Sequence, residues 1–207
     1  MTSIADSPVT ITLIFANAAI SMWAFYSNPI YYEKLAERPY EIVYEKKFYQ
    51  MFTSAFLHAD YFHLFFNMYA LYIFGTILEP FWNEEFGFAT GSLIFAAVYF
   101  ISLLFSSLLT VLLHYKDRNY AAVGASGAVE GIVFAFVVYA PFSTLAFFFI
   151  PMPAWLFALL YLGFTIYGVR TRLGNIGHAA HLGGAIAGFF FTLFCIPGAM
   201  DYFLSNF

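Results

Sequence analysis

Charge is what this 207-residue sequence has least of. Asp, Glu, Lys and Arg make up 10% of it, against 62% hydrophobic and 23% aromatic residues, and the mean hydropathy is +0.78. Soluble domains carry about 25% charged and roughly 45–50% apolar residues. Too little polar surface is present to cover a water-facing globule. The sparse charge and the net value of −4 also argue against disorder and against nucleic-acid binding. A single cysteine, Cys195, excludes a secreted disulfide framework; set in an apolar stretch, it reads as a small buried hydrophobe. There is no HExxH, so the two-histidine zinc-protease arrangement is missing. Asp6, Asp60, Asp117 and Asp201 fall outside the apolar runs or at their ends, which removes a buried pair of catalytic aspartates. The pairs His58/His63 and His178/His181 are candidate metal ligands, but neither forms the full ligand set of a metal centre. No metal and no other cofactor is expected.

What remains is long apolar runs. A spanning helix needs about 20 mostly apolar residues, and that rule predicts six spans, near residues 9–26, 61–78, 88–113, 126–141, 153–169 and 176–196. Strands of a membrane barrel would read as short alternating segments, and these runs are continuous. The expectation is an all-α polytopic membrane protein folded as one domain over residues 1–207, since no internal repeat or low-complexity linker divides the chain. No basic residue precedes the first run and no clear small-residue cleavage site follows it, so it reads as a retained span. The first loop, residues 27–53, interleaves Glu33, Lys34, Glu37, Arg38, Glu41, Glu45, Lys46 and Lys47 with tyrosines, a mixture suited to an amphipathic segment at headgroup level. The fourth and sixth spans carry small residues at a spacing of four: Gly127 and Gly131, then Ala180, Gly184 and Gly188. Such stripes let helix backbones approach closely in lipid.

A polar or ionisable side chain inside a span is a functional hypothesis by default, and few are present. His63 and Asn67 share one face of the second span at i and i+4. Ser126 opens the fourth span inside Gly124-Ala125-Ser126-Gly127, with Glu130 one turn later on the same side. His178 and His181 stand near the start of the sixth span, and His58 just before the second. A serine hydroxyl becomes a nucleophile when a neighbouring base takes its proton, and histidine is the usual base near neutral pH. At a helix N-terminus, Ser126 would have unpaired backbone N–H groups and the positive dipole end beside it. His63 and Asn67 can add side-chain donors to the same oxyanion site. The small-residue stripes would let the sixth span carry His181 up to Ser126. Together these features indicate serine hydrolase chemistry.

At this point the sequence resembles the rhomboid family of intramembrane serine proteases. Phe52-Thr53-Ser54-Ala55-Phe56-Leu57-His58-Ala59-Asp60 and His63-Leu64-Phe65-Phe66-Asn67-Met68 are similar to its loop and HxxxN second span. Gly124-Ala125-Ser126-Gly127 matches its GxSG motif, and His178-Ala179-Ala180-His181-Leu182-Gly183-Gly184 matches its sixth span. The likeness covers about residues 48–194, with the motifs in order. It implies a six-helix rhomboid-like bundle with a Ser126–His181 dyad. It implies an oxyanion hole from the Ser126 N–H, His63 and Asn67, in a water-filled cavity opening to the extracytoplasmic side. The implied substrates are single-span membrane proteins, cleaved in or near their spans, and no cofactor is implied. Two departures stand out. Tyr49-Gln50 occupies the place of a Trp-Arg pair in the first loop, and Glu130 occupies the place of an aromatic that lies against the catalytic histidine.

Glu130 admits two readings: a hydrogen bond to His181, as the acid makes in a triad, or a group that merely fills the place of the aromatic. The second is favoured, because the matched family works as a dyad. The rival functions are a proteolytically silent relative acting in binding or quality control, and a transporter. A silent relative usually lacks the serine or the histidine; a transporter would show interrupted helix pairs in repeated halves. The expected setting is a bacterial plasma membrane, and the bilayer itself and membrane-protein substrates are the expected partners. Orientation draws two arguments apart. All eight Lys and Arg residues, Arg170 and Arg172 included, follow the first, third and fifth spans. The positive-inside rule would put those loops in the cytoplasm, whereas the resemblance puts the termini there. The resemblance is preferred.

Overall fold

The computed structural model describes residues 4–147, 150–171, 173, 174 and 177–207. The expected start of the last span at Ile176, and Arg172 before it, lie outside the described residues. In chain order the helices are α1 (Pro8–Tyr26), α2 (Pro29–Leu35), α3 (Pro39–Tyr44), α4 (Gln50–Thr53), α5 (Tyr61–Phe86), α6 (Phe88–His114) and α7 (Ser126–Tyr139). A hairpin of β1 (Thr144–Phe147) and β2 (Ile150–Pro153) follows, then α8 (Ala154–Thr171), α9 (His178–Cys195) and α10 (Ala199–Leu204). Five of these, α1, α5, α6, α8 and α9, are long and apolar enough to cross a membrane. The chain is a polytopic helical bundle of the rhomboid-like kind.

Several expected boundaries move. The fourth span, α7, has 14 residues and stops at Tyr139. At 1.5 Å per residue it is about 21 Å long, shorter than the ~30 Å hydrocarbon core. The short helix is buried on nearly every face, and its first residue, Ser126, lines a cavity. The second span runs eight residues past Leu78 and through Pro80. A proline is tolerated in such helices because neighbouring elements satisfy the freed backbone groups. The antiparallel hairpin, with Thr144 opposite Pro153 and Leu145 opposite Met152, was not anticipated in an all-α reading. Cys195 sits exposed on the outer face of α9 rather than buried; in a bilayer that face meets lipid, so an apolar run does not distinguish core from outer surface.

The bundle buries its polar residues. On α1, Thr10, Leu13, Asn17, Ser21 and Ala24 form the inward stripe, while Phe15 of α1, Phe62 of α5 and Leu93 of α6 are exposed. Glu79 of α5 ties three helices together. Its carboxylate accepts from the Val9 and Thr10 N–H groups at 2.9 and 2.8 Å, from the Thr10 hydroxyl at 2.7 Å and from the Ser92 hydroxyl at 2.8 Å. A carboxylate at the first turn of α1 meets unpaired N–H groups and the positive end of the helix dipole.

α7 is the centre of the bundle, packed between α6 and α9. Its glycines are required by close approach. A Cβ on Gly184 or Gly188 of α9 would overlap the backbone of Gly127 or Gly131 respectively, and a Cβ on Gly127 or Gly131 would overlap the side chain of Ser106 or Ser102 of α6. The two small-residue stripes therefore face each other. The first loop is held by Gln50, one of the two residues standing in place of Trp-Arg. Its side chain accepts from the Arg38 N–H at 3.2 Å and donates to the Lys34 carbonyl at 3.2 Å and to Glu41 at 2.9 Å.

Candidate active site

Ser126 is the first residue of α7, and the turn before it is fixed from two sides. Ala122 and Glu37 exchange backbone hydrogen bonds of 2.9 and 3.0 Å, and the Gly124 N–H donates to the Ser54 carbonyl at 3.0 Å. Gly124 has φ +129°, and a Cβ there would run into the His63 ring. Only glycine meets both demands. Facing Gly127 with Gly184 then brings α9 alongside, and Ser126 Oγ lies 2.7 Å from His181 Nε2. The pair opens into a cavity of about 880 Å³, lined also by His63, Gly124, His178, Tyr120 and Glu37.

His63 begins α5, where Asp60 caps the helix by accepting from the His63 N–H at 2.8 Å. Its imidazole borders the cavity beside Gly124. Asn67, one turn further into the helix, is 7% exposed, and its Nδ2 has no hydrogen-bond partner among the described residues. Unlike His63, Asn67 is not among the residues that line the cavity. Nδ1 of His58 shares a 2.8 Å hydrogen bond with the Ser21 hydroxyl, which also donates to the Phe56 carbonyl. Burial, with His63 nearby, pushes the His58 imidazole down to about 3, so it is neutral at ordinary pH. His178 is turned away from the serine. It packs against Gly168 and Phe164 of α8 and shares a 3.0 Å hydrogen bond with the Leu173 carbonyl. Among the described residues no group of three or more His, Cys, Asp or Glu could hold a metal ion.

Glu130 does not hydrogen-bond His181 and is not among the cavity's lining residues. The place beside His181 that the disfavoured triad reading would give Glu130 is filled by Tyr161 of α8, a residue the sequence reading missed. The Tyr161 hydroxyl is 3.1 Å from His181 Nδ1, the two rings lie nearly parallel, and the Glu130 carboxyl lies near the phenol. The aromatic missing from α7 is thus supplied by a neighbouring helix. At the mouth, the carboxyl of Glu37 is 5% exposed and accepts a hydrogen bond from Ser107. Burial pushes it up to about 8. The nearby Tyr120 phenol is pushed up to about 12 by burial and by Glu37 and Asp117.

A serine hydroxyl and an imidazole in contact, at a helix N-terminus and lining a cavity, form an arrangement able to do acyl-transfer chemistry. Comparison with known proteins agrees with the architecture. The family model described as the Rhomboid domain matches residues 45–198. The chain belongs to the rhomboid family. It is a multi-pass membrane protein of a family of intramembrane proteases. It is 29% identical over 191 residues to "RHOMBOID-like protein 12, mitochondrial" of Arabidopsis thaliana, covering 88% of this chain and 56% of that one. It is 34% identical over 141 residues to "Rhomboid protein 1, mitochondrial" of Saccharomyces cerevisiae, covering 65% and 38%. With "Rhomboid-like protein 11, chloroplastic" of Arabidopsis thaliana the identity is 36% over 154 residues, covering 68% and 50%. The chain therefore spans 38–56% of the length of these three relatives.

Proposed function

We propose that this chain is a rhomboid-type serine endopeptidase, one domain over residues 1–207, that cleaves single-span membrane proteins in or near their spans. The observation that carries the reading is the 2.7 Å contact between Ser126 Oγ and His181 Nε2 in an open cavity. His181 accepts the hydroxyl proton as Oγ attacks the carbonyl carbon of the scissile bond. The resulting oxyanion is held by the Ser126 N–H, His63 and Asn67; the unpaired Nδ2 of Asn67 supports its part in this. His181 then gives the proton to the leaving amine, and water releases the acyl group by the reverse sequence. Glu130 modulates the site and is not one of its reacting groups. No cofactor enters the scheme.

The second reading, a proteolytically silent relative, is disfavoured by a nucleophile and base that are both present and in contact. A fluorophosphonate probe separates the two. Labelling of the purified protein in detergent, lost in both Ser126→Ala and His181→Ala, is expected of the enzyme; an unlabelled, folded wild type would support the silent protein. The cavity is proposed to open to the extracytoplasmic side. The loops that line it are the ones carrying the basic residues, among them Lys116, Arg118 and Arg170, which is the opposite of the positive-inside expectation. As to which membrane, three of the relatives are named as mitochondrial or chloroplastic, and they lend no support to a bacterial plasma membrane.

A further inference from the structure

One side chain against His181, Tyr161 of α8, has no part in the scheme above. In the serine-protease reading the Ser126 hydroxyl, 2.7 Å from His181 Nε2, donates to it, so the hydrogen of the neutral imidazole is on Nδ1. That Nδ1–H faces the Tyr161 oxygen at 3.1 Å, and the Glu130 carboxyl lies near the phenol. Tyr161 is itself wedged: it is 9% exposed, with Phe134 of α7 and Phe157 of α8 at ring-centroid distances of 5.9 and 5.6 Å. Glu130 and Phe134 are one turn apart on α7, so the helix that carries the nucleophile also grips the group that holds the base.

We propose that Tyr161 is the positioning residue of the dyad and that Glu130 acts on His181 only through it. The proposal rests on the serine-protease reading given above. The phenol oxygen accepts from His181 Nδ1–H, which fixes the tautomer that leaves Nε2 free to take the serine proton. The phenol O–H donates to Glu130, which fixes the direction of the oxygen lone pair toward Nδ1. When His181 takes the proton and becomes an imidazolium, the Nδ1–H···O bond strengthens, and no proton leaves Tyr161 or Glu130. This is the role the acid plays in a triad, executed by a phenol with the carboxyl one step behind. It also accounts for a carboxyl on α7 where the family more often has an aromatic. Here the aromatic against His181 is on α8, and Glu130 orients its hydroxyl.

The test is a pair of variants and their combination, read by fluorophosphonate labelling rate and by cleavage kinetics in detergent. Tyr161→Phe keeps the ring between Phe134 and Phe157 and removes only the oxygen. The expected result is a fall in kcat of about 10–100-fold, the range a small misplacement of a reacting group produces, with KM unchanged, a parallel fall in labelling rate, and an unfolding temperature close to wild type. Glu130→Gln should lower kcat by less. In the Tyr161→Phe background Glu130→Gln should change nothing further, because its route to His181 is gone. A merely structural role would move stability or KM and would let the two effects multiply. Wild-type kcat in Tyr161→Phe, or independent effects in the double variant, would overturn the proposal while leaving labelled Ser126 and the protease reading intact. Should Tyr161→Phe not fold, the proposal is decided by Glu130→Gln alone: kcat reduced at constant KM and constant labelling stoichiometry supports it, and unchanged kcat overturns it. A wild type that the probe does not label would overturn the protease reading and the proposal with it.

Discussion

Replacing Gly184 by alanine tests whether helix approach, and nothing more local, brings base to nucleophile. Gly184 lies three residues beyond His181 on α9, and a Cβ there would fall within 3 Å of the Gly127 carbonyl oxygen, carbonyl carbon and Cα. Ordinary contact needs 3.4–4 Å. The obstacle is backbone, so no side chain can swing aside, and α7 and α9 must part by on the order of 1 Å in a close-packed interior. The Ser126–His181 contact of 2.7 Å then stretches toward or past about 3.5 Å, where a hydrogen bond is lost. Overpacking of this kind destabilises by about 1–3 kcal/mol, and the misplaced base lowers the rate by about 100-fold. The assay is the fluorophosphonate labelling rate in detergent beside thermal unfolding of the same preparation. Gly163→Ala is the control, since nothing lies within 4 Å of a Cβ at that position; it should label like wild type. A folded Gly184→Ala protein that labels at the wild-type rate would refute the close-approach argument.

Four further outcomes are expected. Asn67→Ala should lower turnover by about 100–1000-fold with Ser126 still labelled slowly, the usual effect of losing one oxyanion donor; unchanged turnover would assign Asn67 to packing. Glu79→Ala should lower stability by about 3 kcal/mol or more, because it strips charged acceptors from two buried N–H groups and two hydroxyls, and denaturant titration in mixed micelles reads it. Glu37, whose carboxyl is raised to about 8 from 4.5, stays protonated in the folded protein at pH values where the unfolded chain has released the proton. Its contribution is therefore fully present below about pH 4.5 and lost as pH rises through about 8. Unfolding measured across that window should show stability declining, and Glu37→Gln should flatten the decline. A reporter active only in the cytoplasm, fused after Phe207, should give signal if the cavity opens extracytoplasmically; silence would favour the basic-loop orientation.

The residues of the proposed dyad can be picked out in the sequence because few polar groups interrupt the spans, and those few recur at fixed helical offsets. Ser126, His181, His63 and Asn67 each stand out against apolar neighbours, and the glycine stripes explain how two of them meet. Tyr161 does not stand out. It is one of 16 tyrosines, lies in an apolar helix with no motif, and gains its role only from the rotation of α8 about its axis, which periodicity does not encode. The setting of Glu130 is hidden for the same reason, since the partner that takes it from His181 sits on that helix. Hydropathy marked the second span as ending at Leu78, yet the helix continues because Glu79 is satisfied by α1 and α6. The hairpin before α8 lies between Pro141 and Pro153, in a stretch whose phenylalanines suit strand and span alike.

The central claim is that this bundle cuts peptide bonds with Ser126 and His181. Purified protein reconstituted with a single-span substrate in liposomes, and the products identified by mass spectrometry, tests it most directly. The account predicts one cleavage in or near the span with wild type, and none with Ser126→Ala or His181→Ala proteins that retain wild-type unfolding temperatures. The same cleavage by folded Ser126→Ala protein would contradict it.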